Sequence, residues 1–211
     1  FQSVTEESLF RKKMYEHLES KLDTTHHIVI VADEKNRDAE KELQLRFPWS
    51  IKLRPEKSDY IIPELVDSLL LDSVQNKIIL ETQSFPLIAS AISQFNAQNT
   101  ESRKVQLYTT YRSNAYNNEN LSRKALGGIK LTYPSGFKPF FKTFDDDYVK
   151  SFINKFGKYP NIEALRGHDV SIDAILRTAF AKNLTKSIEL GETQYESNRF
   201  FYQENENEFI S

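Results

Sequence analysis

The sequence predicts an α/β fold, a parallel five-stranded sheet with helices on both faces, followed by extra helices. Three observations predict it. Ile28 to Ala32 is an unbroken apolar run of largely β-branched residues, the pattern of a strand buried on both faces. Comparable runs recur in "NKIILET" and "KVQLYTTY". Segments of helical period separate them, so strand and helix alternate from residue 27 to residue 133, as right-handed crossovers on a parallel sheet require.

The elements follow in order. A first helix is expected over residues 5–21, with Leu9, Met14, Leu18 and Leu22 along one side. A strand at 28–32 comes next, then the polar turn "DEKNRD" and a helix turning Ala39, Leu43 and Phe47 inward. "SIKLRP" supplies a strand at 51–53, and "DYIIPELVDSLLLD" a helix with Leu65, Val66, Leu69 and Leu70 on one side. A third strand is placed at 78–81. Ser84 then reads as a helix cap, with Pro86 near the first turn, where a missing amide hydrogen is harmless. Leu87, Ile88, Ala91, Ile92 and Phe95 form the stripe of that helix. A fourth strand is expected at 105–109. "NNENLSRKAL" reads as a loop and short helix ended by Gly127-Gly128, and a fifth strand at 129–133 leaves through Pro-Ser-Gly. Residues 145–182 switch to two consecutive helices, and the tail alternates weakly around Phe200 to Tyr202 as one or two edge strands.

Bulk properties narrow the function. The chain has 211 residues, enough for one large or two small cores. With 28 basic and 30 acidic residues it carries no electrostatic footprint for nucleic acid or an anionic membrane. No apolar run is long enough to span a bilayer. Cysteine is absent, which removes disulfides, thiolate nucleophiles and Cys-built zinc sites. The opening "FQSVTEESLFRKK" has no initiator Met and no targeting pattern, and reads as a helix already under way in a larger protein.

The familiar motifs of catalysis are absent or have plainer readings. No Gly-rich phosphate loop follows any strand, and the first strand-to-helix turn, "ADEKNRDAEK", has no glycine. Asp145-Asp146-Asp147 reads as the charged start of the helix carrying Val149, Phe152, Ile153 and Phe156. His26 and His27 are strand neighbours whose side chains point to opposite faces, His17 has no partner at helical spacing, and no HExxH occurs, so no metal is expected. No GxSxG occurs either. No cofactor is expected. In a parallel sheet, ligands bind at the carboxyl ends of the strands. The residues expected there are Asn36 and Arg37 after the first strand, Thr82 and Ser84 after the third, and Thr110 and Tyr111 after the fourth. Hydroxyls beside an aromatic ring suit a small polar ligand.

The segment "YVKSFINKFGKYPNIEALRGHDVSIDAILRTAF" resembles the type I periplasmic binding protein family, of the leucine/isoleucine/valine-binding kind. That family has a helix ending in a Phe-Gly-x-x-Pro phrase and a second helix with Ala-x-x-Gly-Tyr-Asp near its start. Phe156, Gly157 and Pro160 match the first phrase. Ala164, Gly167 and Asp169 match the second, with His168 in place of tyrosine. Gly157 is expected to end its helix in the left-handed conformation, Gly167 to let two backbones pack closely, and Asp169 to bond across the helix pair. The resemblance covers residues 27–182 and implies the second lobe of a two-lobed fold. It divides the chain into a leading helix over 1–24, from a hinge or a first lobe ahead of it, an α/β lobe over 25–142, and a two-helix segment with terminal strands over 143–211.

What the resemblance implies is a non-catalytic small-solute-binding or sensing domain of the cell envelope or periplasm. It would be similar to the solute receptors of ABC transporters, and to envelope relatives that carry peptidoglycan-binding LysM repeats, none of which occur here. Its partners would be a small polar ligand such as an amino acid, or a protein, with no nucleic acid. A lone lobe offers half a cleft, so free amino acids are expected to bind weakly or not at all, with self-association through the first helix or the two helices after Asp145. The family's tyrosine after the first strand of this lobe is absent. The alternative is a flavodoxin-like hydrolase or transferase using Asp33, Thr82 or Ser84. A receiver-type regulatory domain fits less well, because no strand-end lysine is placed for it.

Overall fold

In a computed structural model, residues 6–56, 59–136, 147–182, 185–195, 197–204 and 209–210 are described. The chain divides into two compact units, one of residues Glu7–Pro134 and one formed by Phe1–Glu6 with Ser135–Ser211.

The first unit is α/β. Helix α1 (Glu7–Lys21) leads into strand β1 (His27–Ala32), followed by α2 (Arg37–Arg46), β2 (Ile51–Leu53), α3 (Pro63–Leu69), β3 (Gln75–Glu81), α4 (Phe85–Ala97), β4 (Lys104–Tyr108) and α5 (Arg123–Gly128). The four strands pair in parallel, in the order β2-β1-β3-β4. The order reverses between β1 and β3, so right-handed crossovers put helices on opposite faces. The two apolar layers bear this out. Ile28, Ile30, Ile79 and Tyr108 meet Met14, Leu18, Leu43 and Phe47 of the α1 and α2 region. Val29, Val31, Ile78, Leu80 and Leu107, the alternate residues of the same strands, meet Val66, Leu87, Ile88, Ala91 and Phe95 of α3 and α4. The α4 stripe read from the sequence is buried throughout.

The expected fifth strand is reduced to one parallel bridge, Tyr108 to Thr132. Three backbone bonds accompany it: Leu107 N–H to Ile129 at 2.9 Å, Thr132 N–H to Leu107 at 2.9 Å and Thr109 N–H to Thr132 at 3.1 Å. Ile129 still closes α5, Lys130 lies at φ 49°, and Pro134 has no amide hydrogen, so only a short stretch can extend beside β4. Ser84 is also corrected. It occupies the N-cap position of α4 without bonding a helix amide, and its Oγ donates to Asp59 Oδ1 at 2.6 Å.

The second unit holds α6 (Asp147–Phe156), α7 (Ile162–Ala181) and two small antiparallel hairpins, β5 (Thr193–Gln194) with β6 (Arg199–Phe200) and β7 (Gln203–Glu204) with β8 (Phe209–Ile210). Asp147 opens α6; Asp145 and Asp146 lie outside the described residues. Gly157 ends α6 at φ 67°, its amide bonded to the Ile153 carbonyl at 2.7 Å, as a left-handed terminator does. Pro160 is buried, Phe156 is exposed, and Asn161 caps α7 through the Ala164 amide.

Two motif expectations are overturned. Gly167 is exposed, and a Cβ built on it meets nothing within 4 Å. The α6–α7 contact runs instead through Tyr148, whose hydroxyl donates to the Ala164 carbonyl at 3.1 Å and whose ring lies 3.9 Å from that of His168. Gly167→Ala therefore removes backbone freedom from the unfolded chain without a clash, and is expected to stabilise the unit by about 1 kcal/mol, read as a higher urea midpoint. Asp169 does not bond across the helix pair. It is fully buried, and its Oδ2 accepts from Ser197 N and Oγ and from Asn198 N and Nδ2, all at 2.9–3.0 Å. Burial alone would raise its pKa, but these donors and His168 hold it below the ordinary carboxylate value. One turn on, Asp173 and Arg177 are also buried and pair with each other. α7 thus turns an Asp-Asp-Arg stripe inward while Ile175, Leu176 and Phe180 are exposed.

Candidate functional site

The carboxyl end of the sheet carries a connected polar cluster at the point where the strand order reverses. Asp33 follows β1 and Thr82 follows β3; both are buried, and the Thr82 hydroxyl donates to Asp33 Oδ2 at 2.5 Å. Asp33 Oδ1 accepts from the amide and side chain of Asn36 at 3.1 and 2.8 Å. Thr82 Oγ1 in turn accepts the Ser84 amide at 3.0 Å. The Asp33 amide still reaches the Glu81 carbonyl at 3.4 Å, while the Ser84 amide beyond β3 is satisfied locally by the Thr82 side chain.

Beside this lies an ion pair that the sequence did not mark. Glu81, the last residue of β3, is 1 % exposed. Its carboxylate accepts the Thr110 amide at 2.8 Å and Arg11 Nη1 at 2.5 Å. Arg11 Nη1 also donates to Thr110 Oγ1 at 2.6 Å, and the guanidinium lies 5.7 Å from the Tyr111 ring centre. Glu7 Oε1 accepts two further Arg11 donors, Nε at 3.0 Å and Nη2 at 2.8 Å. Burial pushes the Glu81 carboxyl above its ordinary value, against the opposing pull of Arg11 and the Thr110 bonds. For Arg11, burial acts to lower its pKa, and the charge and bonds of Glu81 and Glu7 more than offset it. Tyr15 on the same helix is raised by burial and by the Glu81 charge.

Of the six residues expected at this edge, Thr82 and Thr110 are buried in the cluster, Asn36 joins it through Asp33, Ser84 through Thr82, and Tyr111 faces Arg11. Arg37 is exposed and pairs with Glu34. The sequence reading missed Glu81 and Arg11 as members. A carboxylate closing an apolar strand was a usable signal for Glu81. Nothing local marks Arg11, which reaches the edge only because α1 packs on the sheet.

Chemically, the carboxylates and hydroxyls of the cluster bond one another, and among the described residues no imidazole stands beside Thr82 or Ser84 to act as a base. The two histidines at the start of β1 are engaged elsewhere: His26 Nδ1 meets Asp23 at 2.9 Å and His27 Nε2 meets the Leu69 carbonyl at 2.8 Å. Among the described residues no group of three or more His, Asp or Glu could hold a metal ion, and no helix is long and apolar enough to cross a membrane. No protein-family model, curated protein or solved structure matches the chain.

Proposed function

We propose that this chain is a small-solute-binding or sensing domain whose ligand edge is the carboxyl end of the sheet. The observation that carries the reading is two buried hydrogen-bonded couples side by side at the carboxyl end of the sheet, Thr82 on Asp33 at the strand-order reversal and Thr110 on Glu81 next to it. Open parallel sheets bind ligands at that place. A fixed array of acceptors and hydroxyls suits recognition of a small polar solute, such as the ammonium end of an amino acid, better than a reaction that needs a base. The placement in a cell envelope, and the likeness to solute receptors of the type I periplasmic binding protein kind, rest on the α6–α7 phrase alone.

A ligand at this edge competes with bonds already made inside the protein. Binding of a free amino acid is therefore expected to be weak, with a Kd of about 1 mM. Calorimetric titration with branched-chain and polar amino acids, beside light scattering for mass, tests it. Weak, saturable heat that is lost in Tyr111→Ala supports the reading. No heat with any of them removes it. The alternative, an α/β hydrolase or transferase, is favoured by one feature, the Thr82 hydroxyl held on Asp33. Turnover of an ester or phosphate substrate, abolished by Thr82→Val or Ser84→Ala, would establish that alternative instead.

A further inference from the structure

The opposite, amino end of the sheet holds a second polar feature, a cleft of about 550 Å³ lined by Lys77, Lys104, Gln106, Lys130, Asn99 and Glu101 among others. The parallel register sets Lys77 opposite Gln106 and Gln75 opposite Lys104. Residues two apart on a strand share a face, so these four side chains form a patch in which lysine and glutamine alternate. Lys77 is 6 % exposed. Its Nζ donates to Gln75 Oε1 at 2.7 Å and to Gln106 Oε1 at 2.9 Å, both neutral acceptors.

A lysine ammonium has three donors, so one remains beyond these two. Among the described residues the other buried cation, Arg177, has a carboxylate in Asp173, and the half-buried Arg11 and Arg103 have Glu81 and Asp67 with Asp72. Lys77 has none among the described residues, and Glu101 is the one carboxylate in the cleft lining. A charge removed from water without a countercharge is costly. Burial, and after it the positive charge of Lys130, lowers the Lys77 pKa.

We propose that this cleft binds a small multivalent anion, a phosphate or a dicarboxylate, whose charge completes the pairing of Lys77 while Lys104 and Lys130 hold its outer side. The site is independent of the carboxyl edge, and its failure would leave the solute-binding reading untouched.

The test is NMR of the full chain with ¹³C-labelled lysine side chains, titrated at low ionic strength with inorganic phosphate in one arm and malonate in the other. Saturable shifts at Lys77 are expected, together with a rise in its titration midpoint when the anion is bound, because an anion favours the charged amine. The arm that saturates at lower concentration identifies the head group. Lys104→Gln and Lys130→Gln, both at exposed positions, are each expected to weaken binding by about fivefold. Lys41→Gln, on the exposed side of α2, should leave it unchanged. A Lys77 midpoint that does not move with either anion overturns the proposal. So does the same response to chloride at equal ionic strength, which would mean general screening.

Discussion

Arg177→Met is expected to destabilise the second unit, that of α6 and α7, by about 3–5 kcal/mol. The Arg177 side chain is 1 % exposed and that of Asp173 is fully buried, so the substitution leaves a carboxylate without its cation in a place water does not reach. The guanidinium also joins three segments. Nε bonds both Asp173 oxygens at 3.0 and 2.9 Å, Nη1 the Ser187 carbonyl at 2.9 Å, and Nη2 the Gly191 carbonyl at 2.9 Å and Thr193 Oγ1 at 3.0 Å. Its planar face lies 4.6 Å from the Tyr202 ring centre. Asp173 also accepts the hydroxyls of Thr193, Tyr195 and Tyr202 at 2.7, 3.0 and 2.9 Å. Burial, together with that bond to the Asp173 carboxylate, pushes the Tyr202 phenol well above its ordinary pKa. Arg177→Lys should recover only part of the loss, since a point charge cannot span the carboxylate and two carbonyls at once. Hydrogen exchange at the Tyr195 amide, which bonds the Asn198 carbonyl at 2.9 Å, reports on this unit directly. Protection there unchanged in Arg177→Met, with a urea midpoint within the range of a surface substitution, would show that the network is ornamental to stability.

These residues also show what the sequence could and could not convey. The strands were legible because burial on both faces demands unbroken apolar runs, and Ile28 to Ala32 and the Ile78–Leu80 stretch of β3 have no other use. The α4 stripe was legible for the equivalent reason at helical period. The α7 face was not, because reading it by hydrophobicity inverts it. Ile175, Leu176 and Phe180 are apolar yet exposed, whereas Asp173 and Arg177 are charged yet buried; Asp169 was expected to be engaged and is, but with Ser197 and Asn198 and not across the helix pair. The four-residue spacing of Asp169, Asp173 and Arg177 was a signal for a shared face, yet their burial depends on donors from Ser197, Asn198 and Tyr202, far along the chain. Gly167 was given a packing role from its place in a phrase, and the phrase does not specify which side of the helix its neighbour takes. The fifth strand failed on backbone chemistry that was visible, a proline at 134, combined with a left-handed Lys130 that was not. At the carboxyl edge the hydroxyls of Thr82 and Thr110 were found because strand ends are where a parallel sheet gathers polar groups. Arg11 was not, because its role follows from packing across the whole unit.

Arg11→Met is expected to cost the α/β unit about 3 kcal/mol near neutral pH, at the low end for a broken buried pair because the arginine side chain is 17 % exposed. The sign of its pH dependence follows from Glu81. The folded-state pKa of Glu81 lies above the ordinary value, so the folded state binds the proton more tightly than the unfolded chain. Its contribution is therefore fully present below the unfolded pKa and is lost as pH rises through the folded one. Removing Arg11 takes away the strongest group opposing that rise, so the folded pKa of Glu81 climbs further. The deficit of Arg11→Met should then be small below about pH 4, where Glu81 is protonated in both states, and should widen toward pH 7. Adding Glu81→Gln to Arg11→Met tests the cause. The neutral amide side chain that this second change introduces can still accept the Thr110 N–H and needs no cation. The double variant should therefore regain most of the loss and show little of the pH slope. Trp49, the chain's one tryptophan, lies in this unit with its ring edge-on to Phe47 at 5.8 Å and reports unfolding there. Urea curves followed by its fluorescence at pH 4 and pH 7 decide the matter. A deficit equal at both pH values would locate the effect in the lost guanidinium contact with the Tyr111 ring, and not in the stranded charge of Glu81.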